Sequence, residues 1–150
     1  MTTAYDQNQK SQTPYVFSNT FPTTPGTFDN SYSHEEAFVT KLNAAGTSII
    51  YSTFLGGSLT DEAHGIAVDS SGNAFITGIT RNTSIDYPTT PGAYSTTPNG
   101  TFDAFVTKLS SDGTSLIYST FIGGSGLERG VDIAIDTIGN AYITGSADSL

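Results

Sequence analysis

Asp69 and Asp136 each open a D-x-x-G-N run, Asp69-Ser-Ser-Gly-Asn73 and Asp136-Thr-Ile-Gly-Asn140. An Asp in such a run can supply an oxygen to calcium. An EF-hand loop, however, places further oxygen ligands at alternate positions, and these runs do not. The same residues account for themselves as turns, with Asp bonding the backbone and Gly taking positive φ. Gly123-Gly-Ser-Gly-Leu-Glu128 partly echoes the glycine-rich calcium repeat, but its counterpart Gly56-Gly-Ser-Leu-Thr-Asp61 lacks the third glycine. Each Gly-Gly pair reads instead as a strand end with a sharp bend. His34-Glu35-Glu36 lacks the H-E-x-x-H spacing of a zinc site, and Ser125 misses the G-x-S-x-G pattern of a nucleophile at its last position. The separation of paired carboxylates for glycoside hydrolysis is spatial, and the sequence singles out no pair. No catalytic residue, metal ligand or cofactor site is expected.

Four residues remain as ligand-binding candidates: Asp61 and Glu62, and at the matching place further on, Glu128 and Arg129. They fall in a loop between two strand candidates. A solvated acidic rim is the alternative reading of the same residues.

The bulk composition narrows the partners. Formal net charge is −9 with only five Lys and Arg, so phosphate backbones and anionic lipid find no basic surface. The absence of cysteine excludes disulfides and thiolate metal sites. No apolar run reaches the length of a membrane span, so no membrane insertion is expected. Met1–Lys10 is polar and lacks the hydrophobic region of a secretory signal. Thr, Ser, Gly, Tyr and Phe dominate, which is the palette of strands and tight turns.

Positioning these residues falls to a repeated unit. Ala37 to Ser58 returns as Ala104 to Ser125 at an offset of 67 residues, with 17 of 22 positions identical. Asp69–Gly78 returns as Asp136–Gly145, and Phe21-Pro-Thr-Thr-Pro-Gly26 as Tyr87-Pro-Thr-Thr-Pro-Gly92, one residue out of step. A period this long, filled with strand-like segments, indicates stacked or radially arranged sheets.

Each unit holds four strand candidates: Ala37–Leu42, Ser48–Leu55, Gly65–Asp69 and Asn73–Thr80, with the copies beginning at Ala104 and Ser115. Short turns at Ala45-Gly46-Thr47 and Asp112-Gly113-Thr114 close hairpins. The expected fold is all-β, with one four-stranded antiparallel meander per repeat. The division reads as 1–20, a tail with a short strand candidate; 21–80, the first repeat; and 81–150, a connection and the second repeat. The stretch from Arg81 to Asp103 is rich in Pro and reads as an irregular connection. In the tail, Tyr15, Val16 and Phe17 form a candidate assembly strand, able to pair with the edge of another molecule. Lys41 and Lys108 recur inside the first strand candidate, to line a channel or pair with a carboxylate.

These segments, FPTTPG and YPTTPG, DAFVTKL, DGTSLIYSTFIGGS, GIAVDSSGNAFITG and IAIDTIGNAYITG, resemble the bacterial β-propeller repeats called SBBP repeats. The likeness runs from about Phe21 to Ala147. The resemblance implies four-stranded blades about an axis, the first strand innermost, in proteins that are mostly secreted or surface-attached. It implies no common enzymatic activity.

Propellers close with about four to eight blades, and two repeats do not suffice. Open apolar sheet faces drive association. The two blades are therefore expected to be completed either by further repeats of a longer protein or by self-association, and the expected function is a non-enzymatic, extracellular or cell-surface scaffold whose partners are copies of itself. Three copies would give six blades, four would give eight, and a head-to-tail interface that fails to close would give a filament. The alternative is a lectin-like module binding surface glycans through repeated sites.

Overall fold

The computed structural model describes residues 20–81 and 86–148. Tyr15, Val16 and Phe17 lie outside the described residues. Eight strands follow in order: β1 (Ala37–Leu42), β2 (Ile49–Leu55), β3 (Asp61–Val68), β4 (Ala74–Arg81), β5 (Phe102–Leu109), β6 (Leu116–Ile122), β7 (Glu128–Ile135) and β8 (Ala141–Ala147). All neighbours pair antiparallel. Among the described residues no helix is long and apolar enough to cross a membrane.

The sheets correct the expected grouping. They hold two, four and two strands: β1-β2, then β3-β4-β5-β6, then β7-β8. Among the described residues one sheet has four strands, hereafter the central blade, and it takes the last two strands of the first repeat and the first two of the second. The sequence repeat and the blade are thus half a unit out of phase.

The reason lies in the connections. Five residues, Gly56 to Thr60, separate β2 from β3, and this short link crosses from one sheet to the next. The long link from β4 to β5 returns to the same sheet after a detour along the outer edge of β6. There Thr90 N–H donates to the Ser119 carbonyl (3.1 Å), and Phe121 N–H donates to the Ser95 carbonyl (3.1 Å). The segment before β1 covers β2 likewise, through Thr24 N–H to the Ser52 carbonyl (2.9 Å) and Phe54 N–H to the Asp29 carbonyl (3.0 Å). Sheet edges left open invite foreign strands, and these two are closed by the chain's own loops.

The PTTPG motif has a second task. Its leading aromatic wedges into the blade face: Tyr87 lies 4.8 Å from Phe105 and 5.7 Å from Phe121, centroid to centroid. In the first repeat Phe21 sits 4.6 Å from Phe38 and 5.5 Å from Phe54. The Tyr87 hydroxyl also shares a hydrogen bond with Thr107 Oγ1 (3.1 Å).

The central blade is covered on both faces. Alternation along its strands sends Ala74, Ile76, Phe105 and Leu109 into one core with Val39, Tyr51 and Leu55 of the first hairpin. Phe75 and Val106 enter a second core with Ile133 and Ile143 of the last hairpin. The strand nearest the neighbouring sheet is β3 rather than β1 or β5. His64 Nδ1 and the Gly130 carbonyl lie 2.8 Å apart across the β3–β7 gap. A methyl on Gly65 would come within 3.0 Å of the Asp132 Cα, so backbone meets backbone there and only glycine fits easily. The AFVTKL strand, expected innermost, therefore occupies the interior of the blade, between β4 and β6.

Candidate functional site

Two kinds of site come together in this frame. The first is a carboxylate pair beside each Gly-Gly turn. Asp61 and Glu128, expected in loops, begin strands β3 and β7 and are buried. Asp61 Oδ2 accepts the Gly57 N–H (2.7 Å), and Glu128 Oε2 accepts the Gly124 N–H (2.8 Å). Each carboxylate thus clamps the bend by which the chain leaves one sheet for the next.

A partner in each pair escaped the sequence reading. Gly56 backs onto both Asp61 and Glu36; Gly123 backs onto both Asp103 and Glu128. Glu36 and Asp103 stand 67 residues apart, as do Asp61 and Glu128. Each repeat therefore holds one Asp and one Glu, in opposite order, and the lengths compensate across the pair. Looking at either position alone hides this; aligning both at the repeat offset reveals it. The first glycine of Gly-Gly is required because a side chain there would strike the carboxylates.

Burial pushes the Asp103 carboxyl up to about 6, and Glu128 adds to the rise by charge repulsion, against the hydrogen bond from Asn99 N–H. Burial likewise raises Asp61 and Glu36. Asp61 Oδ1 and Asp103 Oδ1 are buried without hydrogen-bond partners, and that desolvation disfavours the charged carboxylate. Each cluster is thus a locked structural joint with two carboxylates. Among the described residues no three Asp, Glu or His side chains converge as a metal-binding group.

Glu62 and Arg129, the other two candidates, are exposed on β3 and β7. Glu62 Oε2 lies 3.1 Å from His64 Nε2, so this pair helps tie β3 to its neighbour through His64. The four candidates do not converge: two are turn clamps in different blades and two are outward-facing strand residues. Asp69 acts as a turn residue. Its Oδ1 accepts from the N–H groups of Ser71 and Asn73, both at 2.9 Å. The Asn73 amide and the Lys108 ammonium, the latter at 3.0 Å, hold its carboxyl well below the usual range. Lys108 thereby pairs with a carboxylate and also sits 4.5 Å from the Phe75 ring centroid.

The second site is the pair of unfinished sheets. Residues buried in the central blade have exposed equivalents in the terminal hairpins, one repeat length away. Phe105 and Leu109 are 0% exposed, whereas Phe38 and Leu42 on β1 are each 53% exposed. Phe75 is 0% exposed and Tyr142 on β8 is 59% exposed. The contrast also runs the other way: Leu55 on β2 of the first hairpin, packed under the central blade, is 1% exposed, whereas its equivalent Ile122 on β6 of the central blade is 41% exposed. Among the described residues β1 pairs only with β2, and β8 only with β7. Among the described residues each terminal hairpin thus forms a two-stranded sheet, half the strand number of the central one.

No curated protein matches the chain. Residues 50–86, which take in all of β3 and β4 and all but the first residue of β2, match the family model of the SBBP beta-propeller repeat.

Proposed function

We propose that this chain is a non-catalytic structural scaffold, built from propeller-type blades and completed by association with copies of itself into a ring or a filament. One observation carries the reading: side chains fully buried in the central blade stand open to water at the same repeat positions in the terminal hairpins. Burying a large apolar side chain is worth about 1.5–3 kcal/mol, so covering several per hairpin favours association strongly. The covered edges of β2 and β6 support the same reading, because the chain shields these two edges, whereas among the described residues no strand pairs with the outer edges of β1 and β8. The buried carboxylate pairs serve as joints in this reading and carry no chemistry. An extracellular or cell-surface setting follows from the family resemblance alone.

The test is light scattering and negative-stain microscopy of the purified chain across a concentration series. Rings or filaments are expected. A monodisperse 15.7 kDa monomer at every concentration would overturn the proposal.

A further inference from the structure

Building on that scaffold reading, we infer that β8 of one copy pairs antiparallel with β1 of the next, forming a composite four-stranded blade, β7-β8-β1-β2, shared between two molecules. The template for this joint is already inside the chain. β4 and β5 pair from Ala74↔Leu109 through Thr77↔Val106 to Arg81↔Phe102. β8 repeats β4 and β1 repeats β5, each at the 67-residue offset. Moved by that offset, the register becomes Ala141 opposite Leu42 and Thr144 opposite Val39 of the second copy. A one-residue slip would turn every side chain to the wrong face, so the register is strongly specified.

Three independent features fit this partner. The first is electrostatic. In the central blade Lys108 of β5 meets the Asp69 carboxylate at 3.0 Å and the Phe75 ring at 4.5 Å. The equivalents of these groups are Asp136 and Tyr142 on the last hairpin and Lys41 on the first. Asp136 is held in its turn by the Asn140 N–H (2.8 Å) and the Asn140 side-chain amide (2.7 Å). Its carboxylate is therefore fixed where the Lys41 ammonium of the second copy would arrive.

The second feature is steric. The composite blade would place Phe38 and Leu42 of the second copy against the face that carries Ile122 and Tyr118. It would also place Tyr142 beside Tyr51 of the second copy, as Phe75 lies beside Tyr118, 6.2 Å away. Phe38, Leu42, Ile122 and Tyr142, all exposed in the single chain, thus find cover in the joint.

The third feature is symmetry. The exposed edges differ, so the contact is head-to-tail, and repetition gives a closed ring or a continuing fibre. Like edges meeting, β1 with β1, would bring two copies of Lys41 to one joint and neither the Asp136 turn nor Tyr142 to meet them.

Cysteine cross-linking tests the register. A chain carrying Thr144→Cys is mixed with one carrying Val39→Cys under mild oxidation, and a covalent dimer is expected only in the mixture. Val39→Cys cross-linking to itself, or association without the mixed cross-link, would overturn the β8–β1 joint while leaving the scaffold reading intact. Absence of any association overturns both. A charge exchange gives a second readout that does not rely on disulfide chemistry. Lys41→Glu is expected to weaken association about tenfold, and Asp136→Lys in the partner copy to restore most of it. Failure of the second change to rescue the first would count against the joint.

Discussion

Phe105 and Phe38 occupy the same position in the repeat, in the same AFVTKL strand, and meet opposite fates. Phe105 lies between β4 and β6, under Tyr87, with a hairpin stacked over it. Phe38 has Phe21 against it and is 53% exposed. The central blade and the terminal hairpins are therefore one sequence in two environments. The difference isolates what neighbouring sheets contribute, because local propensity, turn chemistry and hairpin register are held nearly constant. Even the irregularity is shared: the β1–β2 ladder slips between Lys41 and Leu42, and the β5–β6 ladder slips between Lys108 and Leu109. Hairpins form from their own residues; burial comes from the company they keep.

The sharpest way to break this comparison is to truncate both phenylalanines. In dilute protein Phe105→Ala should lower the unfolding free energy by about 3–5 kcal/mol, as for a buried aromatic. Phe38→Ala should lower it by only about 1 kcal/mol, the value of a half-exposed ring pair. Urea denaturation measures both. Equal losses would mean that the terminal hairpin is as well enclosed as the central blade.

A pH titration sharpens the same contrast at the carboxylate joints. Asp103 has its pKa raised to about 6 in the folded chain, so the folded state holds a proton that the unfolded chain releases near pH 4. Its contribution is complete below about pH 4 and is lost as pH climbs through about 6. Stability should therefore fall across that window, and Asp103→Asn, which keeps the acceptor for Asn99 N–H, should flatten the fall. Asp69, held low by Asn73 and Lys108, acts in the opposite sense. Its contribution is present above the ordinary Asp value and is lost in stronger acid. Thermal melts at half-unit steps of pH would show a maximum near pH 4 in the parent chain.

The smallest expected effect concerns the wedge aromatics. Tyr87→Phe removes the hydroxyl that meets Thr107 and should cost about 1 kcal/mol. The reciprocal Phe21→Tyr should cost less than that, because Thr40 stands with Ser52 (2.7 Å) as Thr107 stands with Ser119 (2.7 Å), and so offers an added hydroxyl the partner that Tyr87 has. A larger loss from the second change than from the first would show that the two wedges are not equivalent.

Much of the architecture was legible because the repeat said it twice. The hairpin turns at Gly46 and Gly113 take positive φ, as do Gly72 and Gly139 in the D-x-x-G-N turns. Strand boundaries fell within a few residues, apart from β3, which starts four residues earlier, at Asp61. The grouping of strands into sheets was not legible, because a repeat period fixes the length of the unit and not where the sheet is cut. A short link is ordinarily evidence that two strands are neighbours. Here the glycine bend and its carboxylate clamp make the short link a crossing, and the Pro-rich loop makes the long link a return. The roles of Asp61 and Glu128 were hidden for a related reason. Each was compared with its own copy and found to differ, whereas the conserved quantity was the pair, shared with Glu36 and Asp103.

The half-unit offset between repeat and blade has a consequence for how such a chain can be lengthened. Inserting another 67-residue unit adds one finished blade to the interior and leaves both termini as they were. If the proposed β8–β1 joint holds, growth along the gene would not use up the joining edges; only pairing one edge with the other would. Chain length would then set how many blades a link contributes, while the rule for joining links stays the same.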